Sequence, residues 1–283
     1  MNEKTFFVTK QNGEREAFDI QKLQFSLQRA KASPEAIKQV CDRITAELED
    51  GTSTHAIYQH AFQLLHSFEK KAAVRYSLRR ALMELGPSGF PFEQFVAEIF
   101  RSKGYETVTD QIVLGGCVEH EIDVVAWKKD ELIMSEVKFH GDIGLKSDLK
   151  VVLYVHARFE DLAENVYEYG GKTHKLTGGW LITNTKFTVS AIKYAVCKKM
   201  NIVGWNYPVE GNLHDMIEDA NLHPITSLHT LSDHDKKELL NRKVVLCSSL
   251  AKKPSLLADL GLSDANIETV LDEIKQLGFS DKE

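Results

Sequence analysis

Asp123, Glu136 and Lys138 are the residues of this chain whose types and spacing could do chemistry. Each acid lies within a β-branched and aromatic run. The first is Glu121-Ile122-Asp123-Val124-Val125-Ala126-Trp127, the second Leu132-Ile133-Met134-Ser135-Glu136-Val137-Lys138-Phe139. The charged Lys128-Lys129-Asp130-Glu131 between them reads as a turn, so the two runs are predicted to be the arms of one β-hairpin. If Trp127 faces Leu132, the same antiparallel register sets Asp123 opposite Glu136, with Cβ atoms about 4.5–5.5 Å apart. Period-two alternation puts Lys138 on the face of Glu136. The other face (Ile122, Val124, Ala126, Ile133, Val137, Phe139) is apolar and is expected to be the buried one. Opposed carboxylates repel unless positive charge lies between them. A divalent cation and a lysine would meet that need. Mg²⁺ takes one or two carboxylates and keeps several waters. Such an ion can polarise a phosphate oxygen, acidify a bound water and hold a leaving oxygen. The expected ligands are Asp123 and Glu136, with the backbone carbonyl of Val137 as a third. Lys138 would orient the attacking water or stabilise charge that builds on phosphorus. Charged residues make up 27% of the chain, so such a triad also arises by chance on solvated surfaces. Acids embedded in apolar strands are unusual for surface charge.

An acid, a hairpin and then Glu136-x-Lys138 is the signature of the PD-(D/E)xK nuclease superfamily, and the region resembles its Mrr-type restriction endonucleases. Phe92-Glu93-Gln94-Phe95-Val96-Ala97-Glu98-Ile99-Phe100 resembles the helix that opens that core. Trp180-Leu181-Ile182-Thr183-Asn184-Thr185-Lys186-Phe187-Thr188 resembles its later strand and helix. The resemblance covers roughly residues 87–208. It implies DNA phosphodiester hydrolysis with Mg²⁺ or Mn²⁺, and a catalytic set of Glu93, Asp123, Glu136 and Lys138. Glu93 would be an outer-shell or second-metal residue, with Glu98 the fallback. The pattern departs from the family at Ile122, where proline is usual. The stretch Glu119-His120-Glu121-Ile122-Asp123 is closer to Holliday-junction resolvase-like relatives.

The amino-terminal third must be a separate unit. Thr5 to Lys10 and Glu14 to Phe18 flank Gln11-Asn12-Gly13, and Asn-Gly between alternating strands is a strong hairpin signal. Asp19 is placed to cap a helix from Ile20 to about Ala32. Ser33-Pro34-Glu35 starts a second helix, which stops near Gly51, and Thr52-Ser53-Thr54 a third. A fourth runs from Lys70 to Leu85, ending at Gly86. This order resembles the ATP-cone of ribonucleotide reductases, through Val8 to Gly13, Phe18 to Leu23, and Ala72-Ala73-Val74-Arg75-Tyr76 with Arg79-Arg80. The resemblance implies an ATP/dATP site in which Lys10 and Lys22 hold the triphosphate while Glu16, Asp19, Thr54 and Tyr58 line the nucleoside. Gln11 stands where the family usually has arginine.

Gly170-Gly171-Lys172-Thr173 looks like the end of a phosphate-binding loop, but Val166 replaces the glycine that such a loop needs. Residues 141–169 show helical spacing, with Lys146, Lys150 and Arg158 on the less apolar side, as solvated charges or phosphate contacts. His156 reads as a hydrogen-bonded structural histidine. From Asn221 a helical tail begins, with a cap at Ser232 and helix, Gly261 turn, helix from Leu256 to Leu277. It resembles helix-hairpin-helix modules weakly, and its acids suit docking or dimerisation as well.

The 283 residues suffice for two or three domains, divided here as 1–86, 87–220 and 221–283. The expected fold class is α/β: a hairpin-plus-helices cone, a restriction-endonuclease-like core with a mixed central sheet, and a small helical end. At net charge −6, DNA binding must come from a local basic patch. Cys41, Cys117, Cys197 and Cys247 form no CxxC, which fits a reduced cytoplasm and no zinc site. No apolar span suits a membrane. The function that follows is a metal-dependent DNA endonuclease regulated by ATP or dATP, working on duplex or branched DNA in restriction or repair, as a homo-oligomer. The alternative is a nucleotide-sensing DNA-binding or scaffold protein with a silent nuclease fold.

Overall fold

The structure, a computed structural model, describes residues 6–10, 13–142 and 144–277. Thr5, Gln11, Asn12 and Ile143 therefore lie outside the described residues, and with them the first half of the Asn-Gly signal. The chain divides into two compact units, Met1–Arg80 with Asp272–Glu283, and Ala81–Leu271.

In the first unit β1 (Phe7–Thr9) pairs antiparallel with β2 (Arg15–Ala17), Val8 facing Glu16. The helices α1 (Ile20–Arg29), α2 (Pro34–Glu47), α3 (Thr54–Phe68) and α4 (Lys70–Met83) follow. Their starts are chemical. Asp19, Ser33 and Ser53 accept the N–H groups of Gln21, Ala36 and Ala56, satisfying donors that the helix leaves open. Their ends fall short of expectation: α1 stops at Arg29, with Lys31 in the left-handed region at φ 55°, and α2 stops at Glu47. Leu27, Val40, Ile44, Ala61, Leu65 and Ala73 form the core. The hairpin is tied to the α2–α3 loop by Thr9 N–H to the Thr52 carbonyl (3.0 Å) and Gly51 N–H to the Phe7 carbonyl (2.7 Å).

The first whole helix of the second unit is α5 (Phe90–Ser102), whose Phe92, Phe95, Val96, Ile99 and Phe100 are buried. A meander follows: β3 (Glu106–Leu114), β4 (Glu119–Lys128) and β5 (Glu131–Lys138). Trp127 faces Leu132 as expected, but the turn is tighter than the charged four, since Lys128 pairs with Glu131 and Lys129 takes φ 53°. Next come β6 (Lys146–Ser147), α6 (Leu149–Leu162), β7 (Val166–Tyr169), β8 (Lys172–Lys175), β9 (Gly178–Thr183), β10 (Lys186–Phe187), α7 (Val189–Cys197) and β11 (Asn201–Val203). The main sheet runs β11-β9-β5-β4-β3, with β5, β9 and β11 parallel and the meander antiparallel. The segment expected to be helical around 141–169 is thus a two-residue strand, a helix capped by Asp148, and the first arm of a hairpin.

Gly170 and Gly171 form the turn of that β7–β8 hairpin at φ 58° and 71°, which suits two glycines in sequence. A Cβ on Gly170 would come 2.6 Å from Trp127 Nε1, so the glycine also lets the hairpin lie against the indole. The expectation of one buried sheet face is corrected. Val125, Leu132 and Met134, on the acids' own face, are fully buried beneath Leu162 of α6 and Tyr167 of β7. The tail adds α8 (Leu213–Asp219), α9 (Asp233–Asn241), α10 (Cys247–Lys252), α11 (Ser255–Ala258) and α12 (Asp264–Gln276). No helix among the described residues is long and apolar enough to cross a membrane.

Candidate metal centre

Asp123 sits inside β4 where pairing loosens on both sides. The β4–β5 ladder runs from Lys128↔Glu131 to Val124↔Ser135, one step short of the two acids. The β3–β4 ladder skips the same position, where Asp110 takes the left-handed φ of 59°. In place of a backbone bond, the Val137 N–H donates to Asp123 Oδ2 at 2.6 Å. Continued by one step, the ladder sets Asp123 across from Glu136, as the sequence implied.

Each acid has one oxygen held. Arg158 of α6 ion-pairs with Glu136 Oε2 and donates to the Glu121 carbonyl at 3.0 Å. The side chains of Arg158 and Glu136 are only 11% and 14% exposed. Asp123 Oδ1 and Glu136 Oε1 make no hydrogen bond to the described residues. Burial lifts Glu136 to about 7, Asp123 adds to the rise, and Arg158 and Lys138 oppose it without prevailing. Burial also raises Asp123, against the Val137 N–H and Arg158. Glu93, in the first turn of α5, is lifted to about 7, chiefly by burial and then by Asp123, Asp110 and Glu121. Glu98 is turned to Arg101 of its own helix, so Glu93 is the α5 acid at this site. Lys138, exposed at the end of β5, is near enough for both acids to feel its charge.

Among the described residues no three His, Cys, Asp or Glu side chains form a ready cation cage. Two hard carboxylates, each with an oxygen to spare and crowded by like charge, fit an ion that keeps most of its own waters. Three of the neighbours escaped the sequence reading: Asp110, Glu121 and, above all, Arg158, which was expected in solvent or on phosphate. The left-handed φ and the helix-to-strand contact have no local signal. His120 is not at the acids. Its Nε2 lies 2.7 Å from Asp161 Oδ2, and Asp161 also takes the Cys117 N–H at 2.7 Å, which staples the β3–β4 turn. His156 meets Tyr194 Oη at 3.4 Å.

In the first unit Lys10 Nζ lies 2.9 Å and Lys22 Nζ 3.2 Å from the two oxygens of Glu16. The hydrogen bond from Lys10 holds the Glu16 carboxyl below its usual range, with Lys22 adding to the effect. Asp19 is engaged as the α1 cap. Thr54 begins α3, whose preceding Ser53 bridges to Thr9 beside Lys10. One turn on, the Tyr58 ring stacks on Tyr76 at 5.2 Å beneath the Arg80 guanidinium.

A mixed sheet bearing paired acids and a lysine, preceded by a hairpin and four helices, defines a restriction-endonuclease-like domain joined to an ATP-cone. Residues 86–207 match the restriction endonuclease model of Mrr type, 6–82 the ATP cone domain, and 223–278 the AF1548-like, C-terminal domain. The chain belongs to the AF1548-like family. It is 36% identical over 183 residues to an uncharacterized protein of Archaeoglobus fulgidus, covering 64% of this chain and 99% of that one. The crystal structure of AF1548, a protein of unknown function, shares 34% identity at a TM-score of 0.55, covering 68% of this chain and all of that one. A fainter likeness, at TM-score 0.32 and 13% identity, is to the MspJI restriction endonuclease in complex with a 27-mer oligonucleotide, covering 75% of this chain and 44% of that one.

Proposed function

We propose that this protein is a DNA endonuclease that needs Mg²⁺ or Mn²⁺ and is regulated by ATP or dATP bound to its amino-terminal domain. The observation that carries the reading is the pair Asp123 and Glu136: half-buried, crowded by like charge, each with one oxygen fixed and one unengaged. Held by those oxygens, with the Val137 carbonyl as a third donor, a divalent cation would supply Lewis-acid activation of a phosphate and a water. The chain's own residues do the rest. Lys138 brings an exposed ammonium near the acids, where it would orient the attacking water or offset charge gathering on phosphorus. Glu93, crowded by the same acids and lifted to about 7 without a cation, is the candidate outer-shell or second-metal residue. In the cone, Lys10 and Lys22 would take the phosphates, with Glu16, Asp19, Thr54 and Tyr58 around the nucleoside.

A second reading, a nucleotide-responsive DNA-binding protein with a silent nuclease fold, is favoured by one fact: Glu136 already has Arg158 as its counter-ion. Supercoiled plasmid and junction DNA with Mg²⁺, with and without ATP and dATP, separate the two. Cleavage by wild type that falls at least about 10²–10³-fold in Asp123→Ala and Lys138→Ala supports the enzyme. No cleavage by wild type on any substrate leaves the silent fold, and a rate indifferent to both nucleotides removes the regulation.

A further inference from the structure

We propose that Arg158 is the positioning residue of the metal ligand Glu136: it holds Oε2 so that Oε1 is presented to the cation. This rests on the nuclease reading above. Arg158 is nearly buried and reaches from α6 to two strands, since one guanidinium corner, Nη1, serves both the Glu121 carbonyl on β4 and Glu136 on β5. The guanidinium also lies 4.5 Å from the ring of Tyr154, one helical turn back, which limits its swing. Its Nε is buried with no hydrogen-bond partner among the described residues. An arginine placed for its own satisfaction would not leave that donor empty. A buried ion pair of this kind adds little stability over apolar residues of the same volume, so stability does not account for it either. What the arrangement does achieve is orientation. Asp123 has its fixed oxygen from the Val137 N–H, a rigid backbone donor. Glu136 has a longer and freer side chain, and among the described residues Arg158 alone holds it. Outer contacts that fix ligating carboxylates commonly contribute ten- to a hundredfold in metal affinity.

The test is Mn²⁺ binding to the full chain, by calorimetry or by loss of the free-ion electron paramagnetic resonance signal, in wild type, Arg158→Gln, Arg158→Lys and Asp123→Ala. Thermal scans first establish that each variant is folded. The expected result is a Kd weaker by roughly ten- to a hundredfold in Arg158→Gln and largely restored in Arg158→Lys, whose ammonium can donate to both oxygens. Cleavage at saturating metal stays near the wild-type rate in both, because the loss lies in presenting the ligand. A folded Arg158→Gln with the wild-type Kd overturns the proposal. If glutamine is not tolerated, Arg158→Lys decides alone: the metal half-saturation rises a fewfold with the saturated rate kept. No shift in half-saturation overturns it, whatever the saturated rate. Wild type that binds no Mn²⁺, or binds it equally well as Asp123→Ala, overturns the nuclease reading itself, which separates the two failures.

Discussion

Glu136→Gln should flatten the pH dependence of stability of the metal-free protein between pH 5 and 7.5. In the folded chain Glu136 is pushed to about 7 from an ordinary 4.5, mainly by burial and then by Asp123. Below pH 4.5 the carboxyl is protonated in both states and its contribution is whole. As pH rises towards 7, the unfolded chain releases a proton that the folded chain retains, so stability falls, and the loss is complete above about 7. That displacement corresponds to about 3 kcal/mol. For a unit of this size that is roughly 6–12 °C in Tm. The measurement is Tm across pH 5–7.5 by scanning fluorimetry, read as the difference between wild type and Glu136→Gln. The difference removes the titration of His140, whose imidazole is held low by burial and by Lys138, whereas Glu93, lifted in part by Glu136, does not cancel and adds to the difference with the same sign. Glutamine stands in for the protonated acid, so the two proteins should melt alike near pH 5 and the variant higher above pH 7. The slope, not the offset, carries the argument. Mg²⁺ at about a hundred times its Kd adds about 2.7 kcal/mol and should lift wild type most above pH 7, where the carboxylates are ionised. Parallel pH curves for the two proteins, or an equal Mg²⁺ shift in both, would refute the picture of carboxylates crowded in a half-buried cation site.

Lys22→Ala should weaken ATP and dATP binding roughly ten- to a hundredfold, the usual worth of a charge-assisted contact, measured by calorimetry on the full chain. An unchanged Kd would place the phosphates elsewhere. Gly179→Ala should cost roughly 1–3 kcal/mol, because its Cβ would lie 2.4 Å from the ring of Phe159 in the core between α6 and β9. A urea midpoint equal to wild type would mean that the ring yields freely.

What could be read from the chain was whatever physics makes local. The caps at Asp19 and Ser33 and within Thr52-Ser53-Thr54 announce themselves because a helix start needs a side-chain acceptor at one position; all three are observed, the last at Ser53. The Trp127–Leu132 register was legible because one turn fixes every pair behind it. Contacts between distant segments were not. Arg158 and Glu136 meet only when α6 crosses the sheet, and nothing in the spacing of Lys146, Lys150 and Arg158 distinguishes the one that turns inward. The acids' face was misjudged for a related reason. Val125, Leu132 and Met134 were visibly apolar, but that α6 and the β7–β8 hairpin lie over them depends on the whole topology. Gly170-Gly171 likewise resembled one motif and serves as another, since a pair of glycines states only that the backbone is unusual there.

Glu16 carries a consequence for how the amino-terminal domain could tell ligands apart. On the proposed assignment the same carboxylate belongs to the nucleoside, yet in the structure both its oxygens rest on Lys10 and Lys22. It cannot attend to both. Phosphates arriving at the lysines would release it, and only then could it turn to a sugar or base. Recognition would therefore proceed in order, charge first and identity second, and a nucleoside without its phosphates would meet a reader still occupied. The pairs are solvent-exposed and each is weak, so the latch would delay the wrong ligand without costing much for the right one.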